Sequence, residues 1–300
     1  MRGWSAVSHG WIAVTRKDFR DAIRAKLIWA TTALFVLAAA GATVLYAQIN
    51  AFHGGDPTAA GLITFVRSAT TMFVPIIALL AGYRSVAGER KDGSIRLLLS
   101  MPVTRRDMVL GKLLGRTGVV VVPILVAYVV AAVLALVQIG GFDYVQFLLF
   151  GLVTAVYALA YVSVAVGISA WSRTTAVALA GTLSFWVLFQ FAWGIIGFAL
   201  LFATSGGGFP SFDPVPAWYV VFTRLSPSGA FGAASSALLP GGVTAGMPTR
   251  PGAGGGAAGP GFSMPSGAFY LEEWFGFVPL IGWIVVPVTV GYRRFAAADL

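Results

Sequence analysis

The sequence predicts an all-α membrane protein with six transmembrane helices, and three properties of the chain lead to that fold class. Of its 300 residues, 58% are hydrophobic and only 10% are charged, whereas a soluble domain has roughly 25% charged residues. The apolar residues form six runs, each about as long as the 20 residues that cross a bilayer as a helix. Basic residues concentrate in alternate connecting segments, as expected where positive charge orients a membrane protein.

The predicted spans lie near residues 27–49, 68–86, 117–139, 145–170, 175–202 and 274–292. The first run follows a polar lead of 26 residues and exceeds the apolar core of a signal peptide, so we interpret it as a retained span. The fourth and fifth runs are separated only by Ser172, Arg173 and Thr174, which predicts a tight hairpin. The fifth run is long enough to tilt, or to break near Gly194 and Gly197.

The distribution of Lys and Arg predicts the orientation. Seventeen of these 20 residues fall in the lead 1–26, the loop 84–116, the turn after the fourth run and the tail 293–300. Because cytoplasmic segments next to spans accumulate Lys and Arg, we expect both termini in the cytoplasm. The ratio of 16 Arg to 4 Lys is typical of a GC-rich prokaryote, whose plasma membrane is the expected location. Arg67, near the outer end of the second run, is expected to snorkel to the external surface.

The lead 1–26 is predicted to be an amphipathic helix on the cytoplasmic surface. Ile12, Phe19 and Ile23 recur at the spacing of one helical face. The opposite face carries Lys17, Arg20, Asp21 and Arg24. Such a helix suits two compatible roles, a contact platform for a cytoplasmic partner and an anchor on anionic lipid.

The loop 84–116 is predicted to form a helix, a break and a second helix. Gly93 permits a sharp turn, Ser94 can cap a short helix, and Pro102 ends it. Thr104 and Asp107 have the spacing of a capping box that begins the helix of the third span. Three consecutive leucines at 97–99 would be exposed in this charged loop unless they contact a partner or fold back onto the membrane.

The segment 203–273 between the fifth and sixth runs is predicted to be external and largely irregular. Residues 203–269 hold 9 of the 15 prolines and 15 of the 37 glycines. Within this segment, 216–239 is apolar or amphipathic but too short to span, which favours short helices at the outer interface. Residues 241–261 are typical of a mobile loop.

Four stretches of the sequence carry a family resemblance. They are the basic segment RKDFRDAIRAKLIW at 16–29; the loop pattern Glu89, Gly93-Ser94, Leu98-Leu99-Ser100, Pro102-Val103, Arg105, Asp107 and Gly111-Lys112; the segment Leu225-Ser226-Pro227; and the ending Gly291-Tyr292-Arg293-Arg294-Phe295 with Asp299-Leu300. In these stretches the chain resembles permease subunits of second-class (ABC-2-type) ATP-binding-cassette exporters. It is particularly similar to permeases of nitrous-oxide-reductase maturation systems.

The resemblance implies a permease that works as a dimer, with a homodimer expected, and that binds a separate ATPase subunit. In that family the loop between spans 2 and 3 forms a coupling helix that inserts into the ATPase. The resemblance therefore implies an ATPase-coupling contact at Glu89, Gly93, Arg96, Leu99, Pro102 and Arg105. ATP would be bound by the partner, with no cofactor on this chain. The Gly/Pro-rich insert near 252–261 departs from the compact external segments of the family.

The residues themselves also favour an external source of energy. No acidic, basic or His residue lies in the middle of a predicted span, where an ion-driven transporter binds its coupling ion. The sequence has no GxxxxGK[ST] phosphate loop, so ATP hydrolysis would belong to a partner. The leading hypothesis is therefore the permease of an ATP-driven exporter, which is not itself an enzyme.

Two other functions are open at this point. A non-transporting scaffold for a cytoplasmic complex would have the same spans and loop. An intramembrane enzyme is disfavoured, because serines in the spans have no His, Lys or Asp nearby to act as a base. The chain has no Cys, and Met247, Met264 and His53 do not form a cluster, so no metal site is predicted. The basic residues lie at the ends of apolar runs, which indicates membrane lipid and not nucleic acid as the partner of that charge.

Overall fold

The computed structural model describes residues 10–24, 26–93, 103–139, 142–205, 216–238 and 267–297, without the side chains of 22–28. Within these residues all regular structure is helical, and six helical stretches are long and apolar enough to cross a membrane. This result confirms the predicted fold class. The spans are Lys26–Phe52, Ala59–Gly82, Arg105–Gln138, Tyr144–Trp171, Thr175–Thr204 and Phe277–Ala296, numbered 1 to 6 below.

Shorter helices connect or flank the spans. In chain order they are α1 (Gly10–Arg24), α2 (Ala87–Lys91), α3 (Ala217–Leu225) and α4 (Pro227–Ser236). Two 3₁₀ turns, Phe269–Leu271 and Glu273–Gly276, precede span 6. The end of the bundle that carries α1, α2 and the residues flanking 94–102 is called the loop face below, and the other end is called the opposite face.

Span 4 is the central helix of the bundle. Spans 2, 3 and 6 all pack against it, and 67% of its most apolar stretch is buried, compared with 11% for span 5. Glycine permits the closest of these contacts. A Cβ atom on Gly167 would collide with the backbone carbonyl of Pro287, and one on Gly291 would collide with the carbonyl of Gly167. Spans 4 and 6 therefore pack backbone against backbone, as small residues allow in membrane proteins.

Span 2 begins at Ala59, well before the predicted start at residue 68, because Thr58 caps the helix by accepting a hydrogen bond from the amide of Gly61 at 3.1 Å. Arg67 consequently lies within the span. Its guanidinium donates a hydrogen bond to the hydroxyl of Ser236 in α4, at 3.3 Å. Arg67 thus contacts α4 on the opposite face, and its predicted snorkelling to the external surface stays a prediction.

The short helices expected between spans 5 and 6 are present as α3 and α4, but α4 is more deeply packed than an interfacial helix. Its Phe231 is fully buried and stacks on Tyr157 of span 4 with ring centroids 4.3 Å apart. Arg224 of α3 donates to the carbonyls of Leu271 and Glu272 at 2.6 and 2.9 Å. Burial lowers the pKa of Arg224, and the nearby carboxylates oppose that shift. The predicted loop at 241–261 lies outside the described residues.

Span 5 changes helical type at Leu188–Ala192, which form a π-helical turn. The α-helix resumes at Trp193 and runs to Thr204 through Gly194 and Gly197, so it does not break at these glycines, one of the two alternatives that the sequence left open. Trp193 stacks on Phe222 of α3 at 4.4 Å and donates its indole N–H to the carbonyl of Phe222. The irregularity therefore lies immediately before the residue that ties span 5 to α3.

Candidate functional site

Helix α1 lies along the first turns of span 3, where glycines recur on one face. Cβ atoms on Gly111 and Gly115 would collide with the side chains of Val14 and Asp18. Val14 and Asp18, one turn apart on α1, are both buried. This close approach brings the carboxylate of Asp18 to the side of span 3.

A buried cluster of two carboxylates and two cations joins three elements of the loop face. Lys112 of span 3 contacts Asp18 of α1 at 2.9 Å and Glu89 of α2 at 2.5 Å. Arg116, one turn further along span 3, pairs with Asp18 at 2.9 Å. The side chains of Lys112 and Asp18 are only 6% and 5% exposed. Opposite charges offset the cost of removing each group from water. The ion pairs hold α1 and α2 against the start of span 3.

Helix α2 is also held by the end of span 4. The hydroxyl of Ser169 accepts hydrogen bonds from the amides of Val86 and Ala87, at 3.1 and 3.0 Å. These amides lie at the start of α2, where a helix has backbone donors without intrahelical partners. Span 4 therefore caps the helix that leads into the loop.

Two arginines, one on each side of residues 94–102, converge on the end of span 6. Arg90 lies over the ring of Phe295, 5.0 Å from its centroid, and donates to the carbonyl of Ser172 at 2.8 Å. Arg105 lies 5.7 Å from the same ring and donates to the carbonyls of Phe295 and Ala296, each at 2.9 Å. Carbonyls at a helix C-terminus carry partial negative charge, so Arg105 stabilises the end of span 6 and Arg90 stabilises the end of span 4, which Ser172 caps.

The predicted local structure beside the loop is confirmed where it is described. Thr104 and Asp107 form the capping box, each side chain bonding the backbone of the other, and span 3 begins at Arg105. Gly93 has φ +72°, a left-handed conformation suited to glycine, and it ends the turn that follows α2. Ser94 and Pro102, with the remainder of the predicted coupling helix, lie outside the described residues.

The residues Asp18, Glu89, Arg90, Arg105, Lys112, Arg116, Ser169, Ser172 and Phe295 together are called the loop frame below. They connect both ends of the undescribed segment 94–102 to α1, to the starts of spans 3 and 5, and to the ends of spans 4 and 6. A displacement of that segment would therefore reach several spans at once.

Of the residues predicted for the ATPase-coupling contact, Glu89 and Arg105 belong to the loop frame, and Gly93 lies at the edge of the segment. Arg96, Leu99 and Pro102 lie outside the described residues. The coupling role of all six stays a prediction.

The predicted surface helix is present as α1. Lys17 and Arg20 are exposed on it, and Phe19 is partly buried against Gly118 of span 3. The side chain of Ile23 lies outside the described residues. Ile12, predicted to share the apolar face, is 39% exposed, and the contact of that face with lipid stays a prediction. A second face of α1, with Val14 and Asp18, packs against span 3.

Sequence reasoning missed the part that Asp18, Arg90 and Phe295 play in this site. Arg116 was counted only as a basic residue of a cytoplasmic loop, and Lys112 was also part of the loop pattern that carries the family resemblance, but neither was assigned a partner. The one available signal was the occurrence of Asp18 and Glu89, two of the chain's 11 acidic residues, beside segments rich in basic residues. Pairing across 94 residues, from Asp18 to Lys112, cannot be inferred from spacing.

Comparison with known proteins gives concordant matches. The profile of the ABC-2 family transporter proteins matches residues 12–300. A curated protein of Stutzerimonas stutzeri, named probable ABC transporter permease protein NosY, is 27% identical over 208 residues, which cover 67% of this chain and 74% of that protein. A protein of the same name from Pseudomonas aeruginosa is 31% identical over 126 residues, or 41% of this chain and 46% of that protein.

Proposed function

The chain belongs to the ABC-2 family of transporter proteins, as a multi-pass permease subunit, and we propose that a separate ATPase chain drives it to export a substrate. In this proposal the loop face is cytoplasmic, and segment 94–102 is the coupling helix on which the ATPase acts. Two copies of the permease form the transport path. The ATP-dependent chemistry belongs entirely to the partner.

One observation carries the proposal: both ends of segment 94–102 are tied into the loop frame. On its N-terminal side, Glu89 pairs with Lys112 and Arg90 bonds to Ser172. On its C-terminal side, Arg105 bonds to the end of span 6. A mobile loop that only joined two spans would not need buried ion pairs to neighbouring helices. A loop that transmits force needs rigid attachments, because coupling between sites passes through packed and bonded elements.

The proposed orientation is tested by labelling single cysteines, since the natural chain has none. Asp92→Cys places an exposed thiol on the loop face, and His53→Cys places one on the opposite face. In intact cells, a membrane-impermeant maleimide should label only the His53→Cys protein. After permeabilisation it should label both. Labelling of the Asp92→Cys protein in intact cells would reverse the topology and remove the proposed ATPase site.

The docking assignment is tested by co-purification of the full chain with its ATPase. Leu99→Asp should abolish the association, because an apolar contact would acquire a buried charge. A matched control is Leu225→Asp, which puts the same change at a leucine that is 48% exposed on the opposite face and should leave the association intact. Unchanged association of the Leu99→Asp protein would refute the assignment. A second readout distinguishes a scaffold from a permease. If the chain were a scaffold, the ATPase activity of the reconstituted pair would not change with any candidate substrate.

A further inference from the structure

A cleft of about 400 Å³ opens between spans 4, 5 and 6, in the half of the bundle nearest the loop face. Its walls are almost entirely apolar. They include Ile168 of span 4, Val177 and Phe185 of span 5, and Trp283 and Val290 of span 6. The volume is within the range of ligand pockets, which is roughly 300–1,000 Å³.

The mouth of this cleft is basic. Trp171, at the end of span 4, lines the mouth and is 52% exposed, and the guanidinium of Arg294 lies 4.9 Å from the centre of its ring. Arg294 is one helical turn beyond Val290, so it shares the face of span 6 that lines the cleft. Arg173 directly follows Ser172, another lining residue, and is exposed.

The cations at the mouth have no carboxylate partner in the described part of the chain. Residues 165–190 and 281–297, which contain the cleft-lining segments of spans 5 and 6 and the end of span 4, include no Asp or Glu. The ion pairs of the loop face are instead gathered around Asp18 and Lys112. Among the described residues, the cleft therefore combines an apolar interior with a positive rim that no carboxylate compensates.

We propose that this cleft binds one anionic phospholipid of the adjoining leaflet, with an acyl chain between spans 5 and 6 and the phosphate on Arg173 and Arg294. Trp171 lies at the depth of the headgroups, where tryptophan is enriched in membrane proteins. Basic pockets between transmembrane helices bind anionic headgroups because the opposite charges attract. The proposal goes beyond the transport function and does not depend on ATPase coupling.

Two other occupants fit the cleft less well. A second copy of the chain in a twofold contact at this surface would bring identical basic patches together, and like charges repel. A soluble ATPase could approach the arginines but could not fill walls that extend to Phe185 and Trp283 inside the membrane-spanning segments. A phospholipid satisfies both parts, because it is apolar in the interior and negatively charged at the surface.

The test compares lipid binding by the full chain purified in mild detergent. Native mass spectrometry and thermal unfolding are recorded with added phosphatidylglycerol and with added phosphatidylcholine. We expect retention of phosphatidylglycerol, and an increase in Tm with it that is larger than with phosphatidylcholine. The double variant Arg173→Gln/Arg294→Gln should bind phosphatidylglycerol about thirtyfold more weakly. Arg84→Gln/Arg106→Gln, which removes two exposed charges elsewhere on the loop face, should bind it normally.

A second pair of variants tests the apolar part of the site. Val290→Trp fills the cleft from a residue that is 40% exposed and should reduce lipid retention with the arginines intact. Val285→Trp makes the same change at a residue of span 6 that is 54% exposed and does not line the cleft, so binding should persist. Equal binding of the two lipids, or of all four variants, would overturn the proposal. So would loss of a dimer in the Val290→Trp protein with unchanged lipid retention, which would assign the cleft to contact between copies.

Discussion

Removing the charge of Lys112 should destabilise the protein, because this side chain joins α1, α2 and span 3. Lys112→Met keeps most of the side-chain volume but removes the ammonium group that lies 2.5 Å from Glu89, which is 16% exposed. Asp18 keeps Arg116 at 2.9 Å, so the loss falls mainly on Glu89. Breaking a buried pair from one side costs about 3–5 kcal/mol, and the partial exposure of Glu89 favours the lower figure, about 3 kcal/mol.

The assay is thermal unfolding in detergent, followed by the fluorescence of the nine tryptophans. A loss of about 3 kcal/mol should lower the Tm by about 6 °C, at roughly 2 °C per kcal/mol for a chain of this size. Lys91→Met is the control, because Lys91 is exposed on the same helix, α2, and its loss should change stability by less than about 0.5 kcal/mol. The double variant Lys112→Met/Glu89→Leu also removes the carboxylate that faced Lys112 and should recover at least half of the lost stability. Equal stability of the Lys112→Met protein and the natural chain, or no recovery in the double variant, would refute this account of the cluster.

Three further changes test the packing around the site. Gly291→Leu should separate spans 4 and 6 and lower stability by about 1–3 kcal/mol or prevent folding, whereas Gly282→Leu, which faces open space on the same span, should unfold at the natural Tm. Phe231→Ala should cost about 3–5 kcal/mol by removing the ring stacked on Tyr157, and a Tm lowered by less than 2 °C would contradict the observed burial. Thr104→Ala should remove the cap of span 3 and cost about 1 kcal/mol, measured by the same unfolding assay, while Thr104→Ser should restore it.

The fold was predictable because each span carries its own signal. A run of apolar residues must satisfy its backbone within the helix, so length and composition suffice to find it. The capping box at Thr104 and the turn between spans 4 and 5 were predictable for the same reason, since neighbouring residues determine both. The start of span 2 was misplaced because Arg67 was taken as the end of an apolar run, and its partner Ser236 is 169 residues away.

The loop frame was largely unpredictable because its contacts join residues far apart in the sequence. Asp18 meets Lys112, and Arg90 meets Phe295, only after α1, span 3 and span 6 have packed. The periodicity of α1 predicted an apolar face with Ile12 and Phe19. It did not reveal the second face, with Val14 and Asp18, that packs against span 3. Hydrophobic spacing cannot reveal a buried carboxylate whose partner lies on another helix.

The loop frame and the lipid cleft share Ser172, which links the two proposed sites in the transport cycle. Ser172 accepts the hydrogen bond of Arg90 through its carbonyl and also lines the mouth of the cleft. It begins the turn into span 5, the least buried of the spans among the described residues. Spans 2, 3 and 6 are held on span 4 by extensive packing. A displacement of α2 should therefore move these three spans less than it moves span 5. Movement of span 5 would change the width of the cleft, and a lipid bound in it would favour one position of that span over another. Under the two proposals, the ATPase and the lipid therefore act on the same equilibrium, and each should alter the affinity of the protein for the other.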